Sequence, residues 1–155
     1  MRTRTILLTV AALFLAVVVC FAADDANMGT WKLNEAKSKL SPGATKNDTV
    51  VYEAAGDSVK VTIDGVDGSG NPVHSEWTGK FDGQDYPVTG DPTNDMRSYK
   101  QVNPHILTFT AKKDGKITLS GRIIVAPDGK TRTVSASGRD AKGMMRMSNA
   151  VYDKQ

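Results

Sequence analysis

The chain has 155 residues, a formal net charge of +3 and a single cysteine. This length predicts one domain with one hydrophobic core, and so nearly balanced a charge excludes strong electrostatic binding to nucleic acid. Without the first 22 residues the net charge falls to +1 and no cysteine remains, which excludes disulfides, a thiol nucleophile and a thiolate metal site.

The N-terminal segment has the pattern of a secretory signal peptide. Two arginines, Arg2 and Arg4, precede an uncharged run of 17 residues over 6–22. A short cationic stretch followed by an apolar one is typical of signal peptides. We therefore predict a signal peptide over 1–22 and a single folded domain over 23–155. The protein is then exported, to the periplasm or the extracellular space.

Two alternatives for this segment stay open. The apolar run is at the short limit of what crosses a bilayer as a helix, so an uncleaved anchor is the first alternative. In the second, Cys20 is acylated as in a lipoprotein, and the acyl chains hold the protein on a membrane. The residue before an acylated cysteine is normally small, whereas Val19 precedes Cys20 here.

Beyond residue 28, apolar and polar residues alternate with a period of two. Val59, Val61 and Ile63 share one face of a segment whose other face carries Lys60 and Thr62. This period is typical of antiparallel strands that pack one face on a core. We predict ten strands, near 28–34, 47–54, 58–65, 73–81, 85–89, 95–102, 105–112, 116–126, 130–138 and 143–153.

Turn-forming residues separate the predicted strands. Asp-Gly pairs, which favour tight hairpin turns, occur at 64–65, 67–68, 82–83, 114–115 and 128–129. One short segment, 34–40, is a helix candidate because Asn34 is a suitable N-cap. The pattern predicts an all-β fold, an up-and-down antiparallel β-barrel of about 8–10 strands, because closure removes the exposed edges of a long meander. A β-sandwich is the alternative.

The first predicted strand begins with G-T-W-K-L-N, and the chain ends in V-Y-D-K-Q. This opening resembles that of the calycins, the lipocalins and fatty-acid-binding proteins. Lipocalins carry Gly-x-Trp here, matched by Gly29 and Trp31, while fatty-acid-binding proteins open with a similar Gly-Thr-Trp-Lys-Leu and end near Tyr-Glu-Lys. The part beyond the signal peptide is also similar to a group of small exported bacterial proteins, mostly uncharacterised, some of them described as lipocalin-like.

The resemblance implies structural roles for three residues. In the family, the glycine permits a close backbone approach at the base of the barrel, and the tryptophan plugs that end, often under an arginine from the last strand. Carried over, these residues are Gly29, Trp31 and Arg146, with Arg122 as the alternative arginine. Fatty-acid binding is not carried over, because Ala150 stands where fatty-acid-binding proteins have the arginine that holds the carboxylate.

From the predicted barrel fold, we expect the protein to bind a small apolar or amphipathic molecule inside the barrel. Met147 shares a strand face with Met145, and core packing is the competing interpretation of these methionines. Two other functions stay open, a filled barrel that serves as an envelope interaction or structural module, and an enzyme. We expect a monomer that contacts a membrane only if Cys20 is lipidated. Six positions expected to face inward are the candidate ligand contacts: Val61, Trp77, Phe109, Leu119, Ile123 and Met147.

No sequence pattern indicates catalysis, a metal or a cofactor. His74 and His105 lack the spacing of metal ligands, and we expect both to face solvent. His74 and Glu76 share a strand face but have no nucleophile beside them. The stretch 64–71 has the oxygen spacing of a calcium loop, but Thr78 stands at the position of the bidentate carboxylate. We therefore predict no catalytic residue, no metal, no cofactor and a non-enzymatic protein.

Overall fold

The computed structural model describes residues 25–139 and 142–155. The signal peptide predicted over 1–22, including Cys20, lies outside the described residues. One 3-10 turn covers Glu35–Lys37. The described residues contain ten strands: β1 (Gly29–Leu33), β2 (Lys46–Ala55), β3 (Ser58–Val66), β4 (Pro72–Gly79), β5 (Tyr86–Thr89), β6 (Met96–Asn103), β7 (Ile106–Lys113), β8 (Lys116–Val125), β9 (Thr131–Arg139) and β10 (Met145–Lys154).

The strands form where the sequence alternates, because each of them buries one face. In β3, Val61 and Ile63 are buried while Asp64 is exposed. In β4, Ser75 and Trp77 are buried, and Trp77 lies directly opposite Val61 in the ladder between the two strands. Side chains of neighbouring strands that share a face pack against one another. The period-two prediction is therefore confirmed for these segments.

The ten strands close into one antiparallel up-and-down barrel. Each strand pairs with its neighbours in the sequence, and β1 pairs with β10 to complete the ring. At the closing ladder, Trp31 lies opposite Lys154 and Leu33 opposite Tyr152. The predicted all-β barrel is confirmed, and the β-sandwich alternative is wrong. The helix predicted over 34–40 is shorter than expected, a single 3-10 turn whose N-cap Asn34 accepts a hydrogen bond from the Lys37 amide.

One predicted turn is wrong. The pair Asp114-Gly115 does reverse the chain between β7 and β8, with positive φ at both residues. The pair Asp64-Gly65, in contrast, lies inside β3. A side chain at Gly65 would begin 1.9 Å from the Lys46 carbonyl oxygen. The glycine therefore permits close approach of β2, whose register with β3 shifts at this level.

The two ends of the barrel differ. At the base, β1 begins and β10 ends, and tight turns join β2 to β3, β6 to β7 and β8 to β9. At the mouth lie the segments 34–45, 67–71 and 90–95. The hydrophobic core occupies the base, because its largest fully buried apolar side chains all lie near the basal ends of their strands: Trp31, Val61, Trp77, Leu107 and Val125.

Among the described residues, no helix has the length and apolar character needed to cross a membrane.

Candidate ligand cavity of the barrel

Above this core the barrel encloses a cavity of about 590 Å³. Loop residues 43–45 and 91–94 border it at the mouth. Most of its wall is apolar, because the inward positions of successive strands carry aliphatic side chains. The apolar lining includes Leu33, Leu40, Val50, Ile63, Val73, Phe109, Leu119, Ile123, Val134, Ala136 and Ala150.

The structure brings three of the six candidate ligand contacts to the cavity wall. Phe109, Leu119 and Ile123 line it, from the adjacent strands β7 and β8. Val61 and Trp77 are buried, but in the core beneath the cavity. The Trp77 indole is held there by its Nε1–H, which donates to the Arg97 carbonyl oxygen at 2.9 Å, and by Tyr99, whose ring centroid is 4.8 Å away.

The placement expected for Met147 is wrong. Its side chain is 73% exposed on the outer face of β10. Ser148, Ala150 and Tyr152 are the β10 residues that line the cavity, so the even-numbered positions of this strand face inward. Met145 and Met147 therefore point outward. They lie neither in the core nor in the cavity wall, so both interpretations of these methionines are wrong. A shift of one residue reverses the face of every side chain in a strand.

Trp31 lies at the base with a buried arginine over its ring. The guanidinium carbon of Arg132 is 4.7 Å from the Trp31 ring centroid. The Lys154 amino group is 5.1 Å from the same centroid, and the indole Nε1–H donates to the Asn27 carbonyl oxygen at 2.8 Å. Each such cation–π contact contributes about 0.5–2 kcal/mol. The role of Gly29 and Trp31 in holding the barrel closed stays a prediction.

The arginine over Trp31 is Arg132 of β9, which corrects the two assignments made from the sequence. Arg146 lies near the mouth end of β10, whereas the residue opposite Trp31 is Lys154. The two residues are eight positions apart in β10, which corresponds to roughly 26 Å of strand. Arg122 is exposed on the outer face of β8. Alternation in T-R-T-V-S-A-S could have identified Arg132, since it shares the inward face with Val134 and Ala136.

Arg132 forms the floor of the cavity together with three tyrosines, and we call this group the floor cluster: Arg132, Tyr52, Tyr99 and Tyr152. The guanidinium carbon is 4.9 Å from the ring centroids of both Tyr52 and Tyr152. Arg132 is only 2% exposed. Its Nε and Nη1 atoms are buried and have no hydrogen-bond partner. The ion pairs formed by the described residues do not include Arg132.

Two phenols of the floor cluster, those of Tyr52 and Tyr152, are held in their neutral form. Burial raises the pKa of Tyr152 to about 12, although the charge of Arg132 opposes the shift. Burial and the neighbouring Tyr99 raise the pKa of Tyr52 even further, again against Arg132. At neutral pH these hydroxyls therefore keep their protons, and the cluster carries the positive charge of its arginine.

A second polar group borders the cavity at the mouth. The Asp91 carboxylate accepts hydrogen bonds from the Thr93 hydroxyl at 2.7 Å, the Asn94 side-chain amide at 2.8 Å and the Arg97 guanidinium at 3.2 Å. Burial alone would raise the pKa of Asp91, but these hydrogen bonds and the charge of Arg97 outweigh it and lower the pKa. Asn94 also contacts the Thr118 hydroxyl of β8. The loop between β5 and β6 is thereby fixed to the wall of the barrel.

The histidines lie outside the cavity. His74 Nδ1 is 2.6 Å from the Asp64 carboxylate on the outer face of the sheet, and this hydrogen bond raises the pKa of His74. Glu76 pairs there with Lys60 at 2.7 Å. His74 is exposed as expected, whereas His105 is half-buried. Within residues 25–139 and 142–155, no three His, Cys, Asp or Glu side chains are grouped as metal ligands.

Comparison with known proteins gives a likeness only to solved structures. No protein-family profile and no curated protein matches the sequence. EF1p2_mFAP2b bound to DFHBI aligns with a TM-score of 0.46 and 11% identity, over 84% of this chain and 94% of that one. A de novo designed fluorescence-activating β-barrel aligns with a TM-score of 0.46 and 14% identity, over 86% of this chain and 99% of that one. These similarities do not bear on what the present protein binds.

Proposed function

We propose that this protein binds a small apolar or amphipathic molecule inside its barrel. The observation that carries the proposal is the cavity of about 590 Å³ with a largely aliphatic wall. Pockets that bury small ligands typically measure about 300–1,000 Å³ and combine apolar walls with a few polar groups. Phe109, Leu119 and Ile123 are the wall residues that we expect to contact the ligand.

The same cavity argues against a filled barrel that serves only as a structural or interaction module. Protein interiors are normally packed with few voids larger than a water molecule. A barrel selected only for stability would fill this space, because lost packing contacts around a void reduce the free energy of unfolding. Small inward residues such as Ala136 and Ala150 instead keep the space open.

The remaining parts of the proposal rest on the sequence. We infer a monomeric, calycin-like binding protein without enzymatic activity, from the opening Gly29-Thr30-Trp31 motif and from the absence of a nucleophile motif in the sequence. The cationic and apolar segment over 1–22 supports export to the periplasm or the extracellular space. Mass analysis of the mature N-terminus tests export, and it distinguishes cleavage after Ala22 from acylation at Cys20.

Ligand binding is tested by titrating the protein with a neutral naphthylamine dye and with decanol. We expect saturable binding of both, followed by dye fluorescence and by calorimetry. The variant Ala136→Phe fills the cavity and should weaken binding at least about tenfold, or about 1.4 kcal/mol. The matched control is Ala54→Phe, at an exposed position of β2, and should bind like the unmodified protein. If the unmodified protein binds neither probe saturably, the proposed function is wrong.

A further inference from the structure

Three methionines lie together on the outside of the barrel, and none of them belongs to the hydrophobic core or to the cavity wall. Met144, Met145 and Met147 are 48%, 57% and 73% exposed, respectively. The other methionines of the described chain, Met28 and Met96, are half-buried. Single exposed apolar side chains are ordinary on a protein surface, but here three occur within four consecutive positions. Core packing does not explain this group, which we call the thioether cluster.

The backbone that carries the thioether cluster is fixed on both sides. Met145 lies opposite Arg139, and Met147 lies opposite Ser137, in the ladder with β9. On the other side, the Ser41 hydroxyl donates a hydrogen bond to the Met147 carbonyl oxygen at 2.7 Å. The methionine side chains themselves are unbranched and rotate about three bonds. Met145 and Met147 share the outer face of β10 about 7 Å apart, so their sulfur atoms can turn toward one ion between them.

The chemistry of the donor atoms selects the kind of ion. A thioether sulfur is neutral and polarisable, and soft sulfur ligands of this kind favour Cu(I). Ca²⁺ and Mg²⁺ instead require oxygen ligands, and Zn²⁺ is held by thiolate, imidazole or carboxylate. The part of the chain that the structure describes contains no group of three His, Cys, Asp or Glu side chains that could serve those ions. The donor set therefore fits a soft ion and no other class.

The charges around the thioether cluster favour a monovalent ion. Arg139, opposite Met145, donates from Nη1 to the Gly143 carbonyl oxygen at 2.8 Å, which places its charge beside the turn before β10. Arg146 lies between the two methionines of the strand. Coulombic repulsion is proportional to the charge of the ion, so these arginines oppose a divalent ion more strongly than a monovalent one. Because both arginines are exposed, solvent screens them and keeps the cost for a monovalent ion small.

We propose that Met145 and Met147 bind Cu(I) on the outer face of β10, with Met144 as a third thioether ligand. A single thioether holds such an ion weakly, but once the first sulfur is bound the second binds intramolecularly, at a high effective concentration. The histidine and carboxylate patterns of the sequence predict no metal, and a thioether site belongs to neither pattern. The site goes beyond the proposed function, because no residue of the thioether cluster lines the cavity.

The test uses Ag(I), which has the charge and softness of Cu(I) and needs no reductant, in a chain whose one thiol is removed by Cys20→Ser. Calorimetric titration in chloride-free buffer should show saturable binding of one Ag(I) per chain. Met147→Leu keeps an apolar side chain without sulfur and should weaken binding at least about tenfold, as should Met145→Leu, because either change leaves the chelate incomplete. The matched control Met96→Leu removes a half-buried thioether of β6 and should leave the affinity unchanged.

Two further measurements identify the ligands and the ion. The side-chain methyl NMR signals of Met145 and Met147 should shift on addition of Ag(I), whereas those of Met28 and Met96 should not. Competition against a colorimetric Cu(I) chelator, with ascorbate and without oxygen, should show that the unmodified protein takes up Cu(I) and that both leucine variants take up less. Zn²⁺ at the same concentration should leave the methyl signals of the thioether cluster unchanged.

Several results would overturn the thioether site. One is the absence of saturable Ag(I) binding, and another is unchanged affinity in both leucine variants. If each single variant loses one of two independent ions, the methionines hold adventitious ions only and form no chelate. Urea unfolding of the leucine variants should match that of the unmodified protein, because both positions are exposed, so lost binding cannot come from lost folding. Failure of this site leaves the proposed function intact, and the reverse also holds, because the two sites share no residue.

Discussion

Trp31 is held by two cationic side chains over its ring and by a hydrogen bond from its polar atom. Arg132 lies over the ring at 4.7 Å and Lys154 at 5.1 Å, while Nε1–H donates to the Asn27 carbonyl oxygen. A buried indole needs a partner for its N–H, and here the chain segment before β1 supplies it. Trp31 is thereby fully buried at the base, in contact with the arginine that lines the cavity.

Gly29, two residues earlier, is required for its backbone conformation. Its φ is +104°, outside the left-handed well near +57° that asparagine tolerates. A side chain there would meet only the flexible end of Lys154, at 3.2 Å. The structure therefore gives the glycine a conformational reason, whereas the family resemblance suggested close backbone approach.

We expect Gly29→Asn to reduce the free energy of unfolding by about 1–3 kcal/mol, the cost of holding a non-glycine residue in a sparsely populated region. The control is Gly129→Asn, where φ is +70° and no atom lies within 4 Å of the added side chain. It should change stability by less than about 0.5 kcal/mol, because asparagine adopts this conformation in turns. Urea unfolding measures both. Equal losses for the two variants would contradict the conformational role.

Single elements show what the sequence could and could not predict. Alternation located all ten strands, because each of them buries one face. It did not give the inward face near the mouth end of β10, where Met145, Arg146 and Met147 are all exposed and the apolar residues no longer mark the core. It also did not identify Arg132, because a charged residue is normally expected on the outer face. The cavity depends on how far each strand extends above the core, which no local pattern contains.

The loop between β5 and β6 forms a mostly buried ion pair with β6, between Asp91 and Arg97. Burial would raise the pKa of Asp91, but hydrogen bonds from Asn94 and Thr93 and the charge of Arg97 lower it overall. A carboxyl whose pKa is lower in the folded state than in the unfolded state stabilises the fold above its unfolded pKa of about 4. That contribution is lost as the pH falls through the folded pKa.

We expect Asp91→Asn to reduce the free energy of unfolding at neutral pH by about 1–3 kcal/mol, because Arg97 loses a charged partner in a mostly buried site. The stability of the variant should then fall less steeply than that of the unmodified protein below about pH 4. Asp67→Asn is the control, since Asp67 lies in the turn before β4 and forms no ion pair among the described residues. Urea unfolding from neutral pH to below about pH 4 measures the free energy of unfolding of both variants. Similar small effects of the two substitutions would rule out the buried ion pair as a stabilising element.

At the scale of the whole molecule, the pairing of β1 with β10 closes the sheet and thereby creates the interior that holds the cavity. The pairing of Trp31 with Lys154 and of Leu33 with Tyr152 removes the two edges that an open meander would expose. It also brings together Leu33, Tyr152 and Arg132 along one wall of the cavity. In a closed barrel every strand has two neighbours, so the chain can begin at a different strand without loss of any pairing. Removal of a strand, in contrast, breaks the ring.

We expect opposite results for a circular permutant and for a variant without β10. A circular permutant that joins Gln155 to Asp25 through a short linker, and opens the chain between Asp128 and Gly129, should fold with the same β-sheet circular dichroism. The ends to be joined lie close together, since the Lys154 amino group donates to the Ala26 carbonyl oxygen at 3.4 Å. Deletion of residues 145–155 leaves one edge of β1 and one edge of β9 unpaired and uncovers Trp31, so the variant should aggregate and not unfold cooperatively. Size-exclusion chromatography and urea unfolding measure both proteins. A deletion variant that remains monomeric with an unchanged transition would show that closure is not what holds the barrel together.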